Sequence, residues 1–314
     1  MKIFKNLFAF WLVLSMTGFV ISCNPNSKGN TTRSATVKLV DNSAANDSSS
    51  ELVANSDSIY NSRNQFKIVS WNIRDLGRSK ILKDIEQIAH VIKEADLVLI
   101  QEVVAKDPAG AQAIAKIADN LNRLGSKWDY ATSNPTESPS ANMSERYAFL
   151  WKTSKVRLLN EPNLASNYKD VIYREPFLAN FKFKNKSNPI SVVNFHSRKH
   201  NDNPEHEIKY FVDIQSKLKY KTVIIAGDFN LDESHKVWQP LYDLGFKNAL
   251  FKTRTTLKKK CSFGDYKNHA IDNIYYNNGI DKIEAKVIDL VKTCDNLEEI
   301  RRLSDHLPVQ LIFY

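Results

Sequence analysis

An unbroken apolar run, Thr222 to Ala226, empties into Gly227-Asp228-Phe229-Asn230, giving the string TVIIAGDFNLD. β-branched and aliphatic residues without polar alternation describe a strand covered on both faces. The chain must therefore fold as layers, with material packed above and below this strand. Glycine stops the run, and a carboxylate and an amide are delivered where it ends. Both Asp and Asn are ordinary turn formers, so a plain turn explains the string equally well in isolation. With 314 residues, the chain is long enough for one large two-sheet domain of about 250 residues.

The N-terminus has a different character. Lys2 and Lys5 precede an apolar stretch from Leu7 to Ile21, which ends in Ser22-Cys23 before polar sequence begins. The stretch is shorter than the roughly 20 residues a membrane-spanning helix requires, and its flanks are those of an export signal. Residues 1–22 are read as a signal peptide. The ending resembles bacterial lipoprotein signals, which implies Cys23 as the acylated first residue of the mature chain. Soluble export and an uncleaved helix are the other readings. Residues 23–65 are rich in Asn, Ser, Thr and Ala, and such composition buries too little apolar surface to offset chain ordering. They are expected to form a tether. The expected location is the bacterial cell envelope, lipid-anchored or exported, with the membrane met through the N-terminal lipid.

The formal charge of +9 falls to +7 without Lys2 and Lys5. A basic exported protein suits anionic polymers, and net charge does not choose between nucleic acid, lipid headgroups and polyanionic glycans. Lys258-Lys259-Lys260 after Arg254 reads either as a phosphate path or as a solvated loop. Cys261 and Cys294 remain once Cys23 is assigned to lipid; export permits a disulfide between them, and two free thiols are the alternative.

From Phe66 onward strand-like runs alternate with amphipathic stretches. FKIVSW, a helix near 80–94, ADLVLIQ and a helix near 109–124 give a βαβα opening. YAFLWK, PFLANFKFK and ISVVNFHS follow with turn-forming segments between them, as antiparallel neighbours would. A helix near 205–218, the opening strand, a helix near 237–244, AIDNIYYN, KIEAKVIDL and PVQLIFY complete the chain. The mixture predicts an α+β fold: two mixed sheets packed face to face, each covered outside by helices, within residues 66–314.

Residues of catalytic type recur at the ends of these strands. Asn72 follows KIVSW, Glu102 follows LVLIQ, His196 follows VVNF, Asp228 and Asn230 follow VIIAG, Asp272 opens an aromatic strand, and Ser304-Asp305-His306 precedes the last strand. One polar strand end is unremarkable, because every strand must stop. Recurrence at corresponding ends implies convergence on a single cleft.

SWNI, QEV, GDFN and SDHLPV resemble, in order, the signatures of the endonuclease/exonuclease/phosphatase superfamily, and the similarity is greatest to its deoxyribonuclease I-like branch. The resemblance implies a four-layer αββα sandwich and divalent-metal-dependent hydrolysis of a phosphoester. Mg²⁺, with Mn²⁺ or Ca²⁺ as alternatives, takes oxygen ligands and often needs only one or two carboxylates beside a substrate phosphate. The metal residues implied are Glu102, Asn72 and Asp305. Asp228 would orient or deprotonate water, Asn230 would meet phosphoryl charge, and His306 would be held by Asp272. ERYAFLW supplies Glu145 as partner to His196, and YREP supplies Arg174 as a phosphate contact.

Members of the superfamily act on DNA, abasic sites, inositol phosphates, sphingomyelin and nucleotide caps. GDFN and AIDN depart from the GDLN form and WTDR-like segment of inositol polyphosphate 5-phosphatases. His196, Glu145 and YREP lean towards DNA cut with little sequence preference. The SRKHNDNPEHE loop and Asn273 after Asp272 are this chain's own. A sphingomyelinase-like phosphodiesterase acting on a lipid headgroup or small phosphate ester is the second reading. A non-catalytic nucleic-acid-binding envelope protein is the third. No obligate protein partner is written in the sequence.

Overall fold

A computed structural model describes residues 64–137 and 143–314. The signal peptide, Cys23 and nearly all of the tether lie outside the described residues. Among those described, no helix is long and apolar enough to cross a membrane.

The chain opens with β1 (Phe66–Leu76), α1 (Leu82–Ile92), β2 (Leu97–Val104) and α2 (Ala109–Arg123), as the periodicity predicts. Next come β3 (Trp128–Thr132), β4 (Glu145–Lys152), β5 (Val156–Leu158), β6 (Asn163–Leu164), β7 (Phe177–Phe183) and β8 (Ile190–His196). The segment expected as one helix near 205–218 is two short ones, α3 (Glu205–Ile208) and α4 (Phe211–Lys217), before β9 (Thr222–Asp228). Then follow α5 (Gln239–Asp243), β10 (Lys247–Asn248), β11 (Leu257–Ser262), β12 (Asp265–Lys267), β13 (Asp272–Tyr276), β14 (Lys282–Val287), α6 (Leu297–Leu303) and β15 (Val309–Phe313).

One sheet runs β14-β15-β1-β2-β4-β3, and the other runs β10-β13-β9-β8-β7-β5 with β6 on β7. β1 and β2 pair in parallel, as do β8 and β9, while the remaining pairs in these sheets are antiparallel. Strand alternation divides the core into layers. Tyr147, Phe149 and Trp151 of β4 face the space between the sheets, where they meet Phe177 and Phe181 of β7. Ala148 and Leu150 of the same strand face α1 and α2. β9 behaves likewise: Ile224 and Ala226 enter the inter-sheet core, and Val223 and Ile225 join Ile208, Phe211 and Trp238 on the outer face. Both faces of the TVIIAG run are covered, and the architecture is the expected four-layer αββα sandwich.

Two elements at the C-terminal end carry no strong sequence signal. β11 and β12 form a separate hairpin, and α6 packs beside it through Leu297, Ile300 and Leu303 against Leu257. Cys261 of β11 and Cys294 are joined in a disulfide, so of the two states the sequence allows, the bridge is formed.

Candidate active site

The end of β9 explains the glycine of GDFN. Gly227 has φ 154°, and a Cβ placed there would lie 1.8 Å from the carbonyl oxygen of Phe195 on the neighbouring β8. Only glycine lets the two parallel strands pass that closely just before Asp228. In register, His196 stands opposite Asp228, and Asp228 opposite Asp272 on β13. Three strands of one sheet therefore present a histidine and two carboxylates side by side.

The other sheet contributes Asn72 and Glu102 by a different route. Neither follows its strand, as the sequence reading has it; both lie within β1 and β2, at a break in the β1–β2 register between Asn72 and Leu76. Asp75 and Glu102 take left-handed backbone there, with φ of 52° and 59°. A bulge of this kind re-aims a side chain at some cost in backbone strain. The Asn72 amide then bridges the sheets, donating through Nδ2 to Glu102 Oε1 at 2.9 Å and to Asp228 Oδ2 at 3.0 Å.

Asp228 is the hub. Oδ1 accepts the Asn230 N–H at 2.9 Å, with Asn230 itself in left-handed conformation, φ 49°. Oδ2 faces His196 Nε2 at 3.5 Å and His306 Nε2 at 3.7 Å. Behind each imidazole stands a carboxylate. Glu145 meets His196 Nδ1 at 3.0 Å, and Asp272 meets His306 Nδ1 at 3.0 Å. Thr255 Oγ1 donates to Asp272 at 2.6 Å, and Arg174 Nε lies 3.1 Å from Glu145.

Burial and charge set the protonation states. Burial pushes Asp228 above the ordinary carboxylate range, against the pull of His306. Burial lowers His306, but Asp272 and Asp228 outweigh it and raise its pKa to about 10. Burial and Arg174 act against the charge on His196 too, and there Glu145 and Asp228 outweigh them and raise the pKa. His306 is therefore imidazolium at neutral pH, charge is favoured on His196 as well, and each ring is fixed by a carboxylate on one nitrogen and aimed at Asp228 with the other.

The donor chemistry also fits a hard divalent cation. Asn72 Oδ1 is buried and has no hydrogen-bond partner, on the same amide whose Nδ2 meets Glu102 Oε1. Oxygen donors with one carboxylate are what Mg²⁺ uses alongside substrate phosphate. Ligand-type atoms of Asp228, Asp272 and His306 also cluster within 4.8 Å, but a doubly protonated imidazole offers no lone pair and repels a cation. Glu102 and Asn72 supply a second set of oxygen donors, free of that charge.

The structure brings together Asn72, Glu102, Glu145, His196, Asp228, Asn230, Asp272 and His306. The other two expected residues have charged partners of their own. Arg174 is buried, with Nη1 donating to the Ser197 carbonyl at 2.7 Å and Nε at Glu145, so it braces the Glu145–His196 pair from behind. Asp305 is met by Arg74 Nη1 at 3.2 Å and Arg301 Nη2 at 3.8 Å.

Other participants escape the sequence reading. Gln101 Nε2 donates to Asn194 Oδ1 at 2.6 Å, and Asn194 Nδ2 donates to the carbonyls of Ile100 and Ala148, clasping the two sheets beneath the site. Their signal was available: each is an amide inside an otherwise apolar strand. Tyr147, whose hydroxyl accepts the His196 N–H at 3.1 Å, and Thr255 carry no such mark.

Residues 69–306 match the Endonuclease/Exonuclease/phosphatase family. The chain belongs to that family. Among curated relatives, it is similar to deoxyribonuclease-1 of Bos taurus, 31% identical over 179 residues, which cover 54% of this chain and 62% of the relative. It is also similar to deoxyribonuclease-1-like 1 of Cricetulus griseus, 26% identical over 172 residues, covering 53% and 55% respectively. The matched segment thus spans little more than half of these relatives. The family's fold recurs in a solved endonuclease/exonuclease/phosphatase from Bacteroides vulgatus, with TM-score 0.59, 16% identity, and coverage of 80% of this chain and 99% of that one.

Proposed function

We propose that the protein is a divalent-metal-dependent phosphodiester hydrolase of the cell envelope, cutting DNA with little sequence preference. The observation that carries this reading is the convergence of two carboxylate–histidine pairs on one buried carboxylate, Asp228, which Asn72 links to Glu102. A non-catalytic binding protein has no use for that arrangement, whereas hydrolysis uses every part of it.

Asp228, made more basic by burial, holds and deprotonates the attacking water. His196 and His306 present N–H donors to the non-bridging phosphoryl oxygens, where negative charge gathers in the transition state. Glu145 and Asp272 keep each ring in the donating orientation, and Arg174 holds Glu145. Glu102 and the free oxygen of Asn72 would hold the cation, which supplies Lewis-acid polarisation of the phosphate and charge for the leaving oxygen.

DNA as the substrate is supported by the deoxyribonuclease relatives and by the basic charge. The test is supercoiled plasmid incubated with purified protein and Mg²⁺, beside sphingomyelin vesicles. Nicked circles at catalytic enzyme ratios are expected. Intact plasmid with choline-phosphate released from the vesicles would overturn the DNA assignment and leave a lipid phosphodiesterase.

Placement at the envelope rests on the Lys2/Lys5–apolar–Cys23 pattern. In cells fed labelled palmitate, the protein should take up label and Cys23→Ala should not. An unlabelled wild-type chain sinks the anchor.

A further inference from the structure

The β11–β12 hairpin stands apart from both sheets yet grows out of the active site. At its root, Thr256 bridges His306, the Leu257 N–H donates to the Asp305 carbonyl at 2.8 Å, and Thr255 holds Asp272. Arg301 clamps the carbonyls of Leu257 and Lys258, at 2.6 and 3.1 Å, and the Cys261–Cys294 disulfide fastens β11 to the segment leading into α6. The hairpin is a braced projection with a defined origin beside the catalytic histidine.

Its tip is costly in a way the fold does not explain. Ser262 pairs with Asp265, leaving a two-residue turn of Phe263 and Gly264 with φ of 50° and 81°. Positive φ at both central positions is the hairpin turn that normally takes Asn-Gly or Asp-Gly, and a bulky residue there is strained. Phe263 is also fully exposed, so its ring contributes nothing to the core. Below it, Lys259 and Lys260 are exposed and have no ion pair among the described residues, whereas Lys258 is paired with Asp265 and Lys267 with Asp289.

We propose that this hairpin is a strand-binding arm of the enzyme, with Lys259 and Lys260 on the phosphates of a nucleic-acid strand leaving the active site and Phe263 stacked on one of its bases. The proposal rests on the DNA reading above. Leu257 and Ser262 pair with Lys267 and Asp265, so at about 3.4 Å per residue the paired arm extends roughly 7 Å from the root to the Phe263–Gly264 turn, with the extra residues of β11 bulged outward around Lys259 and Lys260. That is about two nucleotides of a B-form strand, so the tip meets a base that flanks the scissile bond. One exposed ring suffices for stacking on a base. It makes a poor membrane anchor, because its neighbours Ser262, Gly264 and Asp265 extend no apolar face.

The experiment uses the full chain in EDTA, with a labelled 20-nucleotide single strand followed by fluorescence anisotropy. Phe263→Ala should bind about tenfold more weakly, in line with the loss of one stacked base. Lys259→Gln/Lys260→Gln should lower the slope of log K against log salt by about 1.4, two phosphates' worth on a single strand. In Mg²⁺, both variants should hydrolyse bis(p-nitrophenyl) phosphate, which has no strand of further phosphates and bases for the arm to hold, at the wild-type rate. Wild-type affinity and salt slope in both variants would overturn the proposal. So would a wild-type chain that binds no strand, or a Phe263→Ala variant that loses only its sedimentation with phosphatidylserine vesicles. Arm-dependent binding without plasmid nicking would leave the arm standing and remove the DNase reading instead.

Discussion

Asp228→Asn should lower kcat for plasmid nicking by about 10³-fold or more while leaving KM within a few-fold of wild type. The substitution keeps the volume and still offers an oxygen, so what it removes is proton affinity at the point where the site converges. An amide cannot take a proton from water. It also presents two N–H donors to a place where Asn72 Nδ2 and the Nε2 atoms of His196 and His306 already direct donors. The variant must turn its oxygen towards some of these groups and its nitrogen away from the rest, which leaves the two histidine rings without the carboxylate they share. Their pKa values should fall in consequence, because Asp228 helps to raise both. Proton acceptor and paired donors are lost together, and the effect should exceed that of either histidine alone. Circular dichroism separates lost chemistry from lost fold. A folded Asp228→Asn protein with more than a tenth of wild-type kcat would remove Asp228 from the role of base.

Much of this site was legible because strand ends are forced statements. TVIIAG can only be a doubly covered strand, and the residues after it are delivered to an edge. His196 ends β8, Asp228 ends β9 and Asp272 begins β13, and β13 runs antiparallel to β9, so end and beginning coincide. Asn72 and Glu102 stand out in the sequence by residue type, but the reason for their placement does not. Their strands do not stop; a register break turns the side chains inward. A bulge leaves no mark in a run of ordinary residues, since left-handed backbone at Asp75 and Glu102 is imposed by tertiary contacts rather than by residue type.

The placements of Arg174 and Asp305 were illegible for a related reason. Charge in a sequence says what a residue can meet, and only packing says which partner reaches it first. Arg174 finds Glu145 and the Ser197 carbonyl in the interior, while Asp305 finds Arg74, whose position depends on the β1 bulge. The β11–β12 hairpin was obscured by its own composition. LKKKCSFGDYK lacks the apolar alternation of a half-buried strand because neither face of most of it is buried.

Glu102→Gln should lower plasmid nicking about 100-fold at about 1 mM Mg²⁺, with part of the loss recovered as Mg²⁺ is raised, and EDTA should abolish nicking in the wild type. Glutamine preserves the side-chain length and still offers an oxygen to Asn72, so the change is confined to charge. A hard cation held by few protein oxygens depends on the carboxylate among them, and losses of one to two orders in affinity are usual when even a supporting group is altered. Mn²⁺ binding, read by electron paramagnetic resonance without substrate, measures that affinity apart from turnover. The same measurement on Asp272→Asn decides between the two possible seats. If the cation is held at Glu102 and Asn72, Asp272→Asn should bind Mn²⁺ nearly as wild type while losing activity, because its carboxylate serves His306. A cation seated among Asp228, Asp272 and His306 would instead be weakened more by Asp272→Asn than by Glu102→Gln. That outcome would require His306 to be a neutral ligand, contrary to the two carboxylates that hold its proton.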